Sequence, residues 1–401
     1  MTVSVNKKIR VLVIDDSIVV RRMLSRILND DPDIEVVDTA ENPYDAEGKI
    51  LKLNPDVLTL DIEMPKMDGL TFLRILMDKR PMPVVVMSSL SQEGSSQAME
   101  ALQLGAVDVL AKPYGPYSVG NMGPQLVEKV KAAAISRMRR LARPSRPPSK
   151  EKPSDPNATP SRHTGKDYSR HPLASKEAVE RSKAMQAAHQ RAAANVKIET
   201  LNPLQTTYNP RQVILLGAST GGTEALKEVL IKLPPQIPGI CIVQHIPPYF
   251  SRAFADRLNT ICALNVKEAE DGDVVEPGKV LIAPGDYHML IKWVGSSYKV
   301  YLKQGPTVWH QRPAVDILFK TGSTAVGKHA TAALLTGMGK DGAEGLLKLK
   351  EQGATTIAQD EATCVVYGMP KTAVEMNAAQ KVLPLPKIAE ALLKDVARKS
   401  S

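Results

Sequence analysis

Twice along this chain, short apolar runs alternate with helix-like segments, and that repetition constrains the fold more than any single motif. Residues 10–14, 34–37, 57–60, 83–87 and 107–110 read as strands, with helical patterns between them and a last one near 125–138. Strands separated by helices predict a parallel, doubly wound α/β sheet, because parallel neighbours need a crossover connection. From residue 211 the alternation resumes, so a second doubly wound α/β unit is expected. Between about 265 and 310 it turns irregular, with turn signals at Gly285-Asp286 and Gly295-Ser296-Ser297 that predict hairpins and a small antiparallel insertion.

The two stretches are separated by a segment of different composition. Seven prolines fall between Pro144 and Pro172, among Ser, Arg and Lys with almost no large apolar residues. Such a segment buries too little surface to offset its ordering entropy. The expected organisation is a folded unit over 1–136, a disordered basic linker over 137–210 and a second folded unit over 211–401, with 176–194 able to form a transient helix. The net charge of +9 belongs to the linker, since residues 137–197 carry 15 Lys and Arg against 5 Asp and Glu. That pattern reads as a solvated tether and not as a basic folded face. No nucleic acid partner is expected, because the C-terminal stretch carries no pattern for a DNA-reading helix pair.

With 401 residues, 43% of them apolar, the chain can bury ordinary cores in two or three domains. No run approaches the ~20 apolar residues of a membrane span. The N-terminus lacks the apolar region of a secretory signal, so a cytoplasmic protein that is not membrane-inserted is expected. Cys241, Cys262 and Cys364 show no metal-ligand spacing and read as small core residues.

The residues able to do chemistry lie where strands end. Gly217-Ala218-Ser219-Thr220-Gly221 follows the apolar run 213–216 and precedes a helix-like stretch over 223–230. A serine there sits at the carboxyl edge of a sheet, beside the free N–H groups of a helix start. That suits a nucleophile whose attack creates an oxyanion. Glycine turns of this kind also cradle phosphates, and a serine among small residues can simply cap the helix. His245, just past 240–243, and Asp341, beyond 332–335, favour the nucleophile, since parallel strands bring all three to one edge. The order Ser219, His245, Asp341 differs from the serine, acid, histidine order of α/β-hydrolases. A hydrolase built on them needs no metal: His163, His171 and His189 fall in the linker, and the other histidines lack a ligand pattern. His288 and Asp286 read as hairpin and turn residues. His310, Arg312 and Asp316 either approach a substrate or cap the helix that follows.

In the N-terminal unit Asp15 and Asp16 end the first strand, Asp61 the third, Ser88 the fourth, and Lys112-Pro113 the fifth. Right-handed parallel topology gathers these ends. Three carboxylates at one edge repel unless a hard cation neutralises them, and oxygen ligands with phosphate and water suit Mg²⁺. The Ser88 hydroxyl and Lys112 ammonium can hold phosphoryl oxygens.

This constellation resembles the response-regulator receiver domain over about residues 7–130. The resemblance implies a flavodoxin-like sheet of order 2-1-3-4-5. It also implies phosphorylation of Asp61 by a chemotaxis histidine kinase, Mg²⁺ held by Asp15, Asp16 and Asp61, and readout by Ser88 and Lys112. Further on, Gly217-Ala218-Ser219-Thr220-Gly221-Gly222, Gln244-His245-Ile246-Pro247-Pro248 and Leu335-Thr336-Gly337-Met338-Gly339-Lys340-Asp341-Gly342 together resemble the chemotaxis methylesterase family, CheB, over about residues 211–395. That family implies hydrolysis of glutamate γ-methyl esters and deamidation of particular glutamines on methyl-accepting chemoreceptors. Ser219 would then attack, His245 carry the proton and Asp341 orient the imidazole, with backbone N–H groups, that of Met338 included, facing the oxyanion. Thr220 either caps the helix or bonds within the site.

A switch domain ahead of a complete catalytic constellation leads to one further expectation: the unphosphorylated receiver packs over Ser219, and phosphorylation of Asp61 releases it. A flexible tether of roughly 70 residues spans about 45–50 Å. Its effective concentration is about millimolar or below, so inhibition requires a real interface. Two rival classes make different predictions. A pure binding module keeps signalling in Ser219→Ala, and a nucleic-acid regulator binds DNA with strong salt dependence.

Overall fold

The computed structural model describes residues 7–112, 119–136, 180, 200–201 and 208–398. The linker expected over 137–210, its 176–194 helix and Pro113 lie outside the described residues, save for those few positions.

The first unit is built from β1 (Ile9–Ile14), α1 (Ile18–Asn29), β2 (Ile34–Ala40), α2 (Pro43–Leu53), β3 (Val57–Asp61), α3 (Gly69–Lys79), β4 (Val84–Ser88), α4 (Gln92–Gln103), β5 (Asp108–Ala111) and α5 (Val119–Ile135). All strand pairings are parallel, and the sheet order is β2-β1-β3-β4-β5, as the flavodoxin-like expectation requires. Successive strand residues face opposite sides. Val11, Val13, Val57 and Val85 pack with Leu24, Leu28, Leu126 and Val130 of α1 and α5. Leu12, Ile14, Leu58 and Leu60 pack with Ile50, Leu73 and Ala98 of α2, α3 and α4. Apolar residues on both faces are the mark of a sheet covered on both sides. The sequence starts the last helix near Gln125, but α5 runs through Pro124 from Val119. A proline near a helix start removes few intrahelical bonds.

The second unit carries β6 (Val213–Ala218), α6 (Gly222–Leu230), β7 (Ile240–Gln244), α7 (Phe250–Ile261), β8 (Asn265–Glu268), β9 (Lys279–Ile282), β10 (His288–Val294), β11 (Ser297–Lys303), α8 (Val315–Ala325), β12 (Ala330–Leu334), α9 (Ala343–Glu351), β13 (Thr355–Gln359), α10 (Met369–Glu375), β14 (Lys381–Leu383) and α11 (Leu385–Arg398). Seven strands form a parallel sheet in the order β14-β13-β12-β6-β7-β9-β8. Helices α6, α7 and α11 bury Leu226, Leu258 and Leu392 on one face. Helices α8, α9 and α10 bury Phe319, Leu346 and Ala373 on the other. The chain grows from β6 towards β7 and β9, then returns to lay β12 on the opposite side of β6. That reversal opens a crevice at the carboxyl ends of β6 and β12, where ligands bind in such sheets.

The antiparallel insertion is the β10–β11 hairpin, turning at Gly295-Ser296, with Gly295 at φ 63°. The second expected hairpin is absent. Gly285-Asp286 instead turns the chain out of the main sheet into β10, and β8 and β9 pair in parallel. A Cβ on Gly285 would stand 2.3 Å from the Pro248 nitrogen, so this turn is pressed against the segment that follows His245.

The two units share one continuous apolar cluster, in which α4 packs on α7 and α6. Val365 of the second unit packs against the α1–α5 side of the first. No helix among the described residues is long and apolar enough to cross a membrane.

Candidate active site

Strand register delivers the three catalytic candidates to one point. Gly217 is level with Leu334, and Ala218 with Gln244. The segments leaving β6, β7 and β12 therefore emerge side by side. Ser219 N–H donates to Thr336 O at 3.0 Å, and His245 N–H to Ala218 O at 3.1 Å. Gln244 Nε2 donates to Ser219 O at 2.9 Å and fixes the turn from below. The His245 ring lies between the other two side chains, with Nδ1 3.0 Å from Ser219 Oγ and Nε2 2.7 Å from Asp341 Oδ2. All three are buried, at 5%, 5% and 2% exposure for Ser219, His245 and Asp341. An ionised carboxylate only accepts, so Nε2 carries the proton and Nδ1 offers its lone pair to the serine hydroxyl.

Asp341 is held from behind. Its Oδ2 accepts from Val315 N–H at 2.6 Å and its Oδ1 from Asp316 N–H at 2.9 Å, both in the first turn of α8. The positive end of that helix faces the carboxylate. Asp316 returns the arrangement: its Oδ1 accepts from Gly345 N–H of α9 at 2.8 Å, and its Oδ2 from Trp309 Nε1 at 3.2 Å. Asp341 thus satisfies the start of the helix that carries Asp316, and Asp316 the start of the helix that follows Asp341. Burial pushes the Asp316 carboxyl up from its usual range, and the neighbouring Asp341 adds to this, against the Gly345 and Trp309 hydrogen bonds.

Backbone approaches Ser219 closely enough to exclude side chains. A Cβ on Gly337 would stand 2.7 Å from Ser219 Cβ and 2.3 Å from Met369 Sδ. Gly221 begins α6 at φ 76°, a left-handed conformation that glycine adopts without strain. The N–H groups of Thr220 and Met338 make no hydrogen bond to any described residue. Thr220 adjoins Ser219 in the chain, and Met338 follows Gly337, which lies against Ser219. Cys241 and Cys262 are not competitors, because burial pushes their thiols up to about 12.

At the first unit's sheet edge, Asp15, Asp16 and Asp61 each offer a carboxylate oxygen within 4.8 Å of the others. Asp15 Oδ2 and Asp61 Oδ2 are buried and make no hydrogen bond. Lys112 Nζ approaches them at 3.4 and 2.7 Å as an ion partner. Burial pushes the Asp61 carboxyl up to about 6; Lys112 opposes this and Asp15 reinforces it. Crowded, buried carboxylate oxygens that share one ammonium are a donor set that fits a hard divalent cation. Ser88 is buried, its hydroxyl donating to Gly94 O in the first turn of α4 at 2.9 Å.

Comparison with known proteins agrees with both halves. Residues 11–121 match the model of the response regulator receiver domain, and residues 214–392 that of the CheB methylesterase. The chain is 46% identical over 389 residues to a protein of Syntrophus aciditrophicus named protein-glutamate methylesterase/protein-glutamine glutaminase 2, covering 97% of this chain and 99% of that one. The chain belongs to the CheB methylesterase family. A Pseudomonas aeruginosa relative of the same name is 44% identical over 395 residues, covering 98% of each chain. The crystal structure of the Thermotoga maritima CheB methylesterase catalytic domain is 42% identical and covers 46% of this chain and 97% of that one, with a TM-score of 0.45.

Within this family member the structure gathers Ser219, His245 and Asp341 at one edge and Asp15, Asp16, Asp61 and Lys112 at the other. The Thr220 hydroxyl neither caps α6 nor bonds to a triad residue. It donates to Asp108 Oδ2 across the seam between the units at 2.5 Å, and Gly221 begins α6 with no side-chain cap. Asp108 also accepts from Lys129 Nζ at 2.6 Å. Arg312 grips Asp286, with Nε 2.9 Å from Oδ1, and His288 accepts from Ala314 N–H at 3.2 Å. These contacts shape the loop ahead of α8. His310 and Arg312 line an inter-domain cavity of about 320 Å³, together with His245, Lys112 and Lys129. Sequence reasoning passes over Asp108, Glu128 and Gln311, and names Gln244 only as part of a motif. Only Gln244 has a signal within reach, as the polar residue ending a strand beside His245.

Proposed function

We propose that this chain is a phosphorylation-activated hydrolase that demethylates glutamate γ-methyl esters and deamidates glutamines on methyl-accepting chemoreceptors. The observation that carries the reading is a buried imidazole hydrogen-bonded to Ser219 on one side and Asp341 on the other. Ser219 Oγ attacks the side-chain carbonyl as His245 Nδ1 takes its proton. Asp341 holds the ring and balances the imidazolium without taking the proton itself. The Thr220 and Met338 N–H groups face the oxyanion, where removal of a single donor typically costs ~10²–10³ in rate. His245 then protonates departing methanol or ammonia, and water resolves the γ-glutamyl ester by the same steps in reverse.

In the receiver, Asp61 accepts a phosphoryl group from a chemotaxis histidine kinase. Asp15, Asp16 and Asp61 would hold Mg²⁺, which would neutralise the phosphoryl charge. Lys112 pairs with the arriving phosphoryl oxygens, and Ser88 reaches them by leaving Gly94 O, which loosens the first turn of α4. Helix α4 packs on α7 and α6, and β5 and α5 meet the catalytic unit at Asp108–Thr220 and Glu128–Gln311. That seam supports a receiver docked over the site until phosphorylated. Domain limits of 1–136, 137–210 and 211–401 accompany this reading.

The test is methanol release from methylated receptor membranes by wild type, Ser219→Ala and Asp61→Asn, each with and without a phosphodonor. Release is expected to vanish in Ser219→Ala and to lose its stimulation in Asp61→Asn. Release that survives in Ser219→Ala refutes the nucleophile, and none from phosphorylated wild type refutes the substrate.

A further inference from the structure

Glu128 belongs to the receiver, yet its carboxylate crosses the seam to Gln311 and Gly339 of the catalytic unit. From α5 its Oε2 accepts from Gln311 Nε2 at 3.0 Å. Its Oε1 faces the backbone of Gly339, 3.5 Å from where a Cβ would stand there. Gly339 directly follows Met338, the oxyanion-donor candidate. His245 lies within electrostatic reach, and Lys129 and Asp108 flank the group. Burial pushes the Glu128 carboxyl up from its usual range, against the pull of His245, Lys129 and Gln311. The receiver's phosphoryl chemistry makes no use of it.

The chemistry of this contact is specific. Both proposed reactions end in a glutamate side-chain carboxylate, and Glu128 is such a carboxylate, within electrostatic reach of His245. Gln311 is a neutral amide donor, able to serve an ester carbonyl, an amide carbonyl or a carboxylate alike. An arginine there would hold the product by a charge-assisted bidentate pair and slow its release.

Resting on the hydrolase reading above, we propose that Gln311 Nε2 and the Gly339 backbone form the subsite for the substrate's glutamyl side chain, and that Glu128 fills it before phosphorylation as an internal copy of the product. The receiver then blocks the site by occupying the substrate's own contacts. A glutamine at position 128 accordingly becomes an internal substrate. Ser219 Oγ displaces ammonia from its amide, with His245 supplying the departing proton, and water cleaves the resulting ester to a carboxylate.

The experiment uses the full-length Glu128→Gln chain without phosphodonor, following the mass of the peptide that contains position 128. Conversion to glutamate, a gain of about 1 Da, is expected with Ser219 intact and not in the Ser219→Ala background. Adding Gln311→Ala should slow conversion about tenfold or more, the loss of an interaction made at the reacting group. In parallel, Glu128→Ala should raise unphosphorylated methanol release from receptor membranes about tenfold, with wild type and variant converging once phosphorylated. Two results overturn the proposal: position 128 stays glutamine while the same preparation releases methanol, or it converts equally fast in Ser219→Ala. A preparation that neither converts nor releases methanol, with or without phosphodonor, refutes the hydrolase reading instead. The methanol arm keeps the two failures separate.

Discussion

Removing the charge of Asp61 should stabilise the metal-free receiver, and by an amount that depends on pH. Asp15 and Asp61 are both buried and share the single ammonium of Lys112, at 3.4 and 2.7 Å. Burial raises the Asp61 carboxyl from 3.8 to about 6. Because the folded value lies above the unfolded one, this group's favourable contribution is fully present below 3.8 and is lost as the pH rises through about 6. The interval corresponds to ~3 kcal/mol as a ceiling. Asp61→Asn abolishes that loss and leaves Lys112 paired one-to-one with Asp15. Lys112 gives up an ion partner, so a net gain of ~1–2 kcal/mol is expected near neutral pH, shrinking towards zero near pH 4. Urea unfolding in a chelator, at about pH 4, 6 and 7.5, measures it. Mg²⁺ should stabilise wild type more than the Asp61→Asn protein, with the larger effect at the higher pH. An Asp61→Asn chain that is less stable than wild type at pH 7.5, or differs from it equally at every pH, refutes the electrostatic account.

Two further outcomes follow from packing at the catalytic edge. Gly337→Ala places a methyl 2.7 Å from Ser219 Cβ and 2.3 Å from Met369 Sδ. It should cost ~1–3 kcal/mol in stability and lower kcat about 100-fold through displacement of the serine; unfolding curves and esterase assays that match wild type would contradict that close approach. Thr220→Val deletes the hydroxyl that donates to Asp108 Oδ2. Unphosphorylated esterase activity should rise about 3- to 10-fold as the seam loosens, and an unchanged phosphorylation response would remove Thr220 from the coupling.

Much of the site is legible in the sequence because its residues are tied to strand ends. Ser219 and His245 each directly follow a strand, and Asp61 closes one. A serine, a histidine and an aspartate beyond three parallel runs meet at one edge whatever the details of the core. The same logic fails where local pattern and packing diverge. Gly285-Asp286 has hairpin chemistry, but the turn is decided by its contact with Pro248, and the strand before it pairs in parallel at the sheet edge. Asp316 offers two local readings, approach to substrate or capping of its own helix. It does neither, because crossing helices place it over the start of α9.

By itself the sequence determined the two α/β units, the five-strand order through its family pattern, the serine–histidine–aspartate set and the acid cluster, since periodicity and strand-end chemistry are local properties. Tertiary structure alone decided which imidazole nitrogen meets the serine, how Asp316 and Asp341 exchange helix starts, and what covers the site. The seam contacts join residues 112 apart for Thr220 and Asp108, and 183 apart for Gln311 and Glu128. No local pattern encodes them, because they depend on the angle at which one packed unit meets the other, and that angle is set by the summed fit of α4, α5, α6 and α7.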